Sequence, residues 1–330
     1  MVMTSEKHRR LEWIDWMKAI GIYLIVLGHF YSVGEKFVYV FHVPLFFVIS
    51  GFLCKRENDS RQFWKKLWFN LAVPMLFMSV LNFLYYCILK LSYGTFSPMY
   101  IYWFLRNILF GMVSGFDSLW FVYTLIVLKI IYHYSPSYKF FYALTILMLS
   151  LVYLYNHNDF SHLPFFMNEP NAVVDVCVAY PFFAFGILFR QYKEVLDKWS
   201  NKVMFALLLI GSLFIVSACR YNNFGIGLHS CYYGNSIVLF LLGAISGSMM
   251  IFAASKLLGH APKIVVFVSQ GTIIILGFHK LFINLIRVFF PTSYFDIVFA
   301  LLIVFLFVPI ILWIEKYFPL LAGKYRIAKL

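Results

Sequence analysis

Residues 13–33 read WIDWMKAIGIYLIVLGHFYSV, an apolar run of the length that a bilayer-spanning helix needs, about 20 residues. Lys18 and His29 lie inside this run. Their separation corresponds to about three helical turns, which places both on one helical face about 16 Å apart along the axis. Because ionisable side chains are costly within a membrane, the pair predicts a functional site on the first helix.

The composition of the whole chain agrees with this segment. Of the 330 residues, 62% are hydrophobic and only 12% are charged, and the mean hydropathy is +0.82. Soluble domains carry about 25% charged residues. The apolar runs are long and continuous, whereas the strands of a membrane barrel are short and alternate in polarity. The sequence therefore predicts an all-α integral membrane protein.

The apolar runs predict ten transmembrane helices in a single polytopic domain over residues 1–330. They lie near residues 13–33, 38–54, 67–89, 118–134, 139–155, 173–189, 203–219, 235–258, 264–289 and 294–318. With both termini in the cytoplasm, 19 of the 27 Lys and Arg residues fall on the cytoplasmic side. An excess of basic residues marks cytoplasmic loops. The net charge of +13 is thus explained by topology, and no nucleic-acid partner is expected.

Polar side chains recur in the predicted outer halves of the later spans, where they are costly. Those that share this placement are His42, Ser118, Trp120, His279 and Lys280. His42 and His279 are equally typical of interfacial histidines bonded to backbone carbonyls. Trp120 is typical of the aromatic belt, and Lys280 of a lysine that snorkels to the interface. These residues are candidates for substrate binding or catalysis, each with a structural alternative.

Three further candidates accompany Lys18 and His42 on the first two helices. Asp15 stands one helical turn before Lys18, so it either neutralises that lysine or helps to bind substrate. Ser50 and Gly51 leave space for a ligand or for a closely packed neighbouring helix.

Several known catalytic motifs are missing from the sequence, which narrows the reactions that the chain could catalyse. The chain has neither a Cys/His set with zinc spacing nor a nucleophile elbow or phosphate-binding loop, so we expect no metal and no bound cofactor. What remains is a histidine able to act as a general base near neutral pH, with cations nearby for an anionic ligand. This combination fits acyl transfer to a hydroxyl group. A proton-coupled glycan or sugar transporter or flippase would use the same histidines as a relay, and a glycan polymerase is a further alternative.

The motifs that hold these candidates resemble those of the acyltransferase 3 family of bacterial membrane O-acyltransferases, in particular its fucose-4-O-acetylase-like branch. The matching elements are residues 13–15 (WID) with Lys18, residues 28–29 (GH), residues 41–47 (FHVPLFF) with 50–52 (SGF), and residues 118–121 (SLWF). Lys18 stands where the family often has Arg. Weaker echoes continue to the ninth span, so the resemblance covers nearly the whole chain.

The resemblance implies transfer of an acetyl group from acetyl-CoA to a sugar hydroxyl of a surface or exported polysaccharide, in the bacterial cytoplasmic (inner) membrane. The acceptor is then a glycan or lipid-linked sugar. Lys18, with Lys65 and Lys66, is expected to hold the phosphates of the donor. His29 is expected to act as the general base or, alternatively, to carry the acyl group covalently.

His42 and Ser118 are expected to orient the acceptor or to steady the oxyanion. Trp120 is expected to stack against a sugar ring.

Overall fold

The computed structural model describes residues 10–31, 34–111, 120–158, 172–222, 227–229, 231–291 and 294–324. Within these ranges the chain is almost wholly helical, and the only extended pairing is an isolated bridge between Gly227 and Tyr232. The helices are α1 (Glu12–Gly28), α2 (Glu35–Tyr39), α3 (His42–Leu53), α4 (Ser60–Leu67), a π-helix (Trp68–Ala72), α5 (Val73–Ser92), α6 (Met99–Phe110), α7 (Trp120–Tyr134), α8 (Tyr138–His157), α9 (Ala172–Gln191), α10 (Lys193–Asp197), α11 (Asn201–Tyr221), α12 (Ile237–Leu258), α13 (Lys263–Gln270), α14 (Thr272–Phe289) and α15 (Asp296–Tyr317).

The prediction of an all-α membrane protein is confirmed. Among the described residues, eight helical stretches are long and apolar enough to cross a membrane. They are Glu35–Leu53, Ser60–Ser92, Tyr138–His157, Ala172–Gln191, Asn201–Tyr221, Ile237–Leu258, Thr272–Phe289 and Asp296–Tyr317. The shorter apolar helix α7 accompanies them. The count of ten spans and the cytoplasmic placement of both termini stay predictions.

Two of the expected spans differ from the helices observed. The run 13–33 was expected to be one span, but α1 ends at Gly28, and Tyr31 then takes a positive φ of 49°. The run 264–289 is divided at Gly271 into α13 and α14. A Cβ atom on Gly271 would overlap the side chain of Ile311, so the close approach of α15 accounts for glycine at this break.

Helix α1, which is not among the eight candidate spans, lies among several other helices, and this explains why its charged residues are tolerated. It packs against α3, α12, α13, α14 and α15. At its beginning, the ring of Trp13 meets the rings of Phe52 and Phe252 edge-on, each with 5.1 Å between centroids. Lys18 is therefore surrounded by protein on several sides.

Helices α3 and α9 run parallel and touch backbone to backbone. A Cβ atom on Gly51 would overlap the carbonyl oxygen of Phe183, and one on Gly186 would overlap that of Val48. Farther along both helices, Arg190 Nη1 donates a 2.7 Å hydrogen bond to the carbonyl of Cys54. Small residues permit this spacing, as at many membrane helix interfaces.

Candidate active site

One face of α1 lines a cavity that extends from Lys18 to Ile25. Lys18, Ile22 and Ile25 all contribute to the cavity wall. Lys18, Ile22 and Ile25 stand four and three positions apart, so they lie on one face of the helix. His29 follows directly after α1, and its Nδ1 lies 2.8 Å from the carbonyl oxygen of Ile25. Lys18 and Ile25 therefore share the cavity face, and His29 stands one turn beyond Ile25.

The cavity has a volume of about 220 Å³ and lies between α1, α3, α7 and α14. Its wall includes the hydroxyl residues Ser50 and Thr272. Among the described residues that line it, the charged ones are Lys18 and Lys129, so its only formal charges are positive. Pockets that enclose drug-sized ligands measure roughly 300–1,000 Å³. This cavity therefore suits a slender arm rather than a whole nucleotide.

Three histidines gather where α1 ends. The ring of His29 meets that of His279 edge-on, with 4.8 Å between centroids. His42 approaches from α3, because a Cβ atom on Gly28 would lie 3.7 Å from His42 Nε2. His42 and His279 are both buried. Three elements that are distant in sequence thus bring their imidazoles to one end of the bundle.

Each of these imidazoles bonds through Nδ1 to a backbone carbonyl three or four residues before it. The Nδ1 atom of His42 lies 2.8 Å from the carbonyl of Val38, and that of His279 lies 2.9 Å from the carbonyl of Leu276. A carbonyl accepts only, so Nδ1 carries the hydrogen in each neutral ring and Nε2 has the lone pair. Among the described residues, His279 Nε2 is buried without a hydrogen-bond partner. The cluster is therefore poised to accept a proton.

An ion pair fixes the chain beside His29. Arg287 makes two hydrogen bonds of 3.0 and 2.9 Å to the buried carboxylate of Asp296. The same guanidinium donates a 2.5 Å bond to the carbonyl of Phe30, the residue after His29. A bidentate pair of this kind holds a defined geometry. Arg287 thus ties α14 and α15 to the segment that presents His29.

At the opposite end of the cavity, Asp15 has partners other than Lys18. It accepts hydrogen bonds from Arg10 Nη2 at 2.7 Å and from Ser269 Oγ at 2.6 Å. Lys129 Nζ lies 3.8 Å from the sulfur of Cys54, and Lys129 and Lys18 are within electrostatic range of each other. The geometry thus joins Asp15 to α13 and places two lysines at one end of the cavity.

A third cation lies nearby at the same end of α3. The guanidinium of Arg56 lies over the rings of Tyr132 and Tyr138, at 4.9 and 5.1 Å from their centroids. Its Nε and Nη2 atoms are buried without a hydrogen-bond acceptor among the described residues. Protein atoms enclose both N–H groups, and Arg56 is not among the described residues that line the cavity.

A family model described as an acyltransferase domain, that of acyltransferase 3, matches residues 11–316 of the chain. The chain belongs to the acyltransferase 3 family. No curated protein and no solved structure matches it. The family match covers both ends of the cavity and all three clustered histidines. The chain is accordingly a membrane acyltransferase, and the resemblance seen in its motifs is confirmed at the level of the family.

The remaining predicted site residues lie in different parts of the structure. Ser50 lines the cavity, whereas Gly51 packs against α9, which is the helix-packing alternative. Trp120 stacks on His229, with 5.0 Å between ring centroids. Lys280 is within electrostatic range of His29 and His279. Ser118 lies outside the described residues.

Sequence reasoning missed three contributors to this region. Lys129 could have been singled out by the argument used for Lys18, because it also interrupts an apolar helix. Arg287 and His229 carried no comparable signal, since each gains its partners through the fold. Lys66, expected to serve the donor, pairs instead with Glu57 at 2.7 Å. Within the described residues, no group of three or more His, Cys, Asp or Glu side chains is arranged to hold a metal ion.

Proposed function

We propose that the chain is a membrane O-acyltransferase that moves an acetyl group from acetyl-CoA to a sugar hydroxyl of a surface or exported polysaccharide. The observation that carries the proposal is the cavity with lysines at one end and the imidazoles of His29 and His279 beyond the other. A donor that combines phosphates with a long flexible arm matches this distribution of charge and width. The family membership supports the acyl chemistry.

We assign the binding of the donor's phosphate groups to the cations at the lysine end of the cavity. Lys18 and Lys129 attract the phosphate groups as point charges. The bulky nucleotide stays outside, because the cavity is too small for it. The pantetheine arm enters and carries the thioester past Ser50 toward His29.

The chemical step uses the lone pair on His29 Nε2. The acceptor hydroxyl gives its proton to this nitrogen while its oxygen attacks the thioester carbonyl carbon. A C–O bond forms and the C–S bond breaks. The proton then passes from the imidazolium to the departing thiolate, so an ester and free coenzyme A thiol leave.

His279 and His42 assist this step through their own Nε2 lone pairs. His279 is close enough to share the proton that His29 takes. Neutral His42 has no hydrogen on Nε2, so it suits an acceptor hydroxyl better than an oxyanion, which requires a donor. We therefore assign His42 to orienting the acceptor.

The assignment of sides follows from the charge distribution. Coenzyme A is cytoplasmic, so the Lys18 end faces the cytoplasm and the His29 end faces outward, in agreement with the excess of basic residues in the predicted inner loops. The protein then lies in the bacterial cytoplasmic membrane. It serves a glycan or lipid-linked sugar that reaches the membrane from the outer side.

The decisive experiment compares glycan from cells that express wild-type protein, His29→Gln or His157→Gln in a background without the gene. His157 is the matched control, since it is exposed and also bonds a carbonyl of its own helix through Nδ1. Mass spectrometry should find acetylated polysaccharide with the wild type and with His157→Gln, and none with His29→Gln.

Equal amounts of folded, membrane-inserted protein must be shown for all three. Unchanged acetylation with His29→Gln would refute the assigned base. A glycan that loses abundance or chain length, with its acetyl content unaltered, would favour a transporter or a polymerase.

A further inference from the structure

A second histidine, paired with a buried carboxylate, lies apart from the cluster around His29. His229 Nδ1 lies 2.9 and 3.0 Å from the two carboxylate oxygens of Asp175, which is fully buried in the first turn of α9. The ring of His229 stacks on Trp120 with an angle of 28° between planes. Its side chain is 23% exposed, so the pair is open to a ligand on one side.

The loop that carries His229 is anchored on both sides of it. Before His229, the buried side chain of Asn222 donates a 2.7 Å bond to the carbonyl of Tyr233 and accepts one of 2.6 Å from the backbone N–H of Ser236. After His229, Asn156 donates a 2.7 Å bond to the carbonyl of Cys231. Such bonds fix the backbone, so the position of His229 is built into the fold.

The pairing determines which atom of His229 faces a ligand. A carboxylate accepts hydrogen bonds, so Nδ1 carries the hydrogen, and Nε2 of the neutral ring is left as an acceptor. An aspartate that bonds Nδ1 of a histidine fixes both the tautomer and the ring orientation. Trp120 holds the ring plane from the other side. His229 Nε2 is therefore an oriented acceptor for one hydrogen-bond donor.

The location of the pair matches the acceptor side of the proposed reaction. Asp175 lies fifteen residues before Arg190 on α9, and His42 lies twelve residues before Cys54 on the parallel helix α3. Because Arg190 bonds Cys54, Asp175 and His42 belong to the same end of the bundle. Trp120 also contacts Phe121, a residue of the cavity wall. The pair thus stands near the cavity at its histidine end.

We propose that Asp175, His229 and Trp120 form the acceptor subsite, in which His229 Nε2 accepts a hydrogen bond from a second hydroxyl of the sugar and Trp120 offers an apolar face to its ring. Aromatic rings with an adjacent polar group suit carbohydrates, which are apolar on one face and polar at the edge. This inference rests on the proposed function, since it names where the acceptor of that reaction binds.

The test uses the purified full chain in lipid nanodiscs, with acetyl-CoA and a panel of methyl glycosides of common hexoses and 6-deoxyhexoses. Release of free thiol reports transfer. His229→Gln should raise the KM for the glycoside about tenfold, the effect of losing one hydrogen bond, and should leave the KM for acetyl-CoA unchanged. Asp175→Asn, which keeps the shape of the buried side chain, should raise the same constant. His157→Gln is the control and should change neither.

A second measurement separates this subsite from the transfer reaction. The glycoside that stimulates thiol release should also raise the melting temperature of the wild-type protein, and this stabilisation should be lost in His229→Gln. If no glycoside stimulates thiol release but one still stabilises the wild type through His229, the transfer assignment fails and the sugar site stands. Equal KM values and equal stabilisation in His229→Gln and the wild type would overturn the subsite. So would the absence of stabilisation by every glycoside.

Discussion

The imidazole of His29 meets the imidazole of His279 edge-on at 4.8 Å, although 250 residues separate them in the chain. Each ring bonds a carbonyl of its own helix through Nδ1. Their Nε2 atoms are therefore both proton acceptors. This relationship leads to the first prediction.

We expect His29→Ala to lower kcat by about 10²–10⁴-fold, the usual contribution of a general base. His279→Ala should lower it less, because His279 acts on the proton after His29 has taken it. The double variant should lose less than the product of the two single losses, since the two residues act as one unit. Thiol release from acetyl-CoA in nanodiscs measures all three rates. If the loss of kcat in the double variant equals the product of the two single losses, the two rings act independently.

The two cavity lysines should govern the affinity for the donor. Lys129→Met is expected to raise the KM for acetyl-CoA several-fold, with a smaller dependence of that KM on salt, because a screened charge has been removed. Lys139→Met, which removes an exposed cation near the same end of α7, is the control. An unchanged KM in Lys129→Met would argue that the phosphates bind elsewhere.

Lys18 should act through its charge rather than through its shape. We therefore expect Lys18→Arg to retain most of the activity and Lys18→Met to lose it, as measured by thiol release. The guanidinium keeps the positive charge and adds a bidentate fork. Loss of activity in Lys18→Arg with normal insertion would indicate that the ammonium itself has a specific geometric role.

Close contact between α3 and α9 should make Gly51 and Gly186 sensitive to a single methyl group. Gly51→Ala places its Cβ against the Phe183 carbonyl, so the helices must separate. The expected loss of stability is about 3 kcal/mol or more, because the overlapping atom belongs to the backbone and cannot turn aside. Gly34→Ala is the comparison, because its Cβ meets open space and costs only about 1–2 kcal/mol of backbone strain. Thermal unfolding in detergent measures the difference, and equal melting temperatures for the two variants would contradict the packing argument.

The ion pair between Arg287 and Asp296 should matter for activity as well as stability. Arg287→Met leaves a buried carboxylate unpaired, which typically costs about 3–5 kcal/mol. It also releases the carbonyl of Phe30, so kcat should fall even at temperatures where the protein stays folded. Arg220→Met removes an exposed cation from the end of α11 and should have little effect. If Arg287→Met has a lower melting temperature but an unchanged kcat, then Arg287 has only a structural role.

Much of this architecture is predictable from local sequence. Apolar runs predict helices because a backbone in lipid must satisfy its own hydrogen bonds, and that rule acts within each segment. The same locality explains why Lys18 and His29 were found on one face, since helical period alone relates them.

The pairings across the bundle were not predictable in this way. His229 meets Asp175 only because the loop after α11 folds over α9, and nothing near either residue specifies the other. The break at Gly271 depends on where α15 approaches. Asp15 combines both cases, because its helical position predicts the electrostatic interaction with Lys18, whereas the fold adds the hydrogen bond from Ser269. Distances between segments are set by packing, which a single chain does not display.

The Nδ1 bonds of the histidine cluster have a consequence for selectivity. In each of the three neutral imidazoles the only N–H group donates to a backbone carbonyl, so none of the rings can donate to another. A molecule that bonds to any of these Nε2 atoms must supply the hydrogen, and water can do so as well as a sugar hydroxyl. Productive transfer therefore depends on how completely a bound acceptor displaces water, so wasteful hydrolysis of the thioester becomes the measure of how well a given sugar fits.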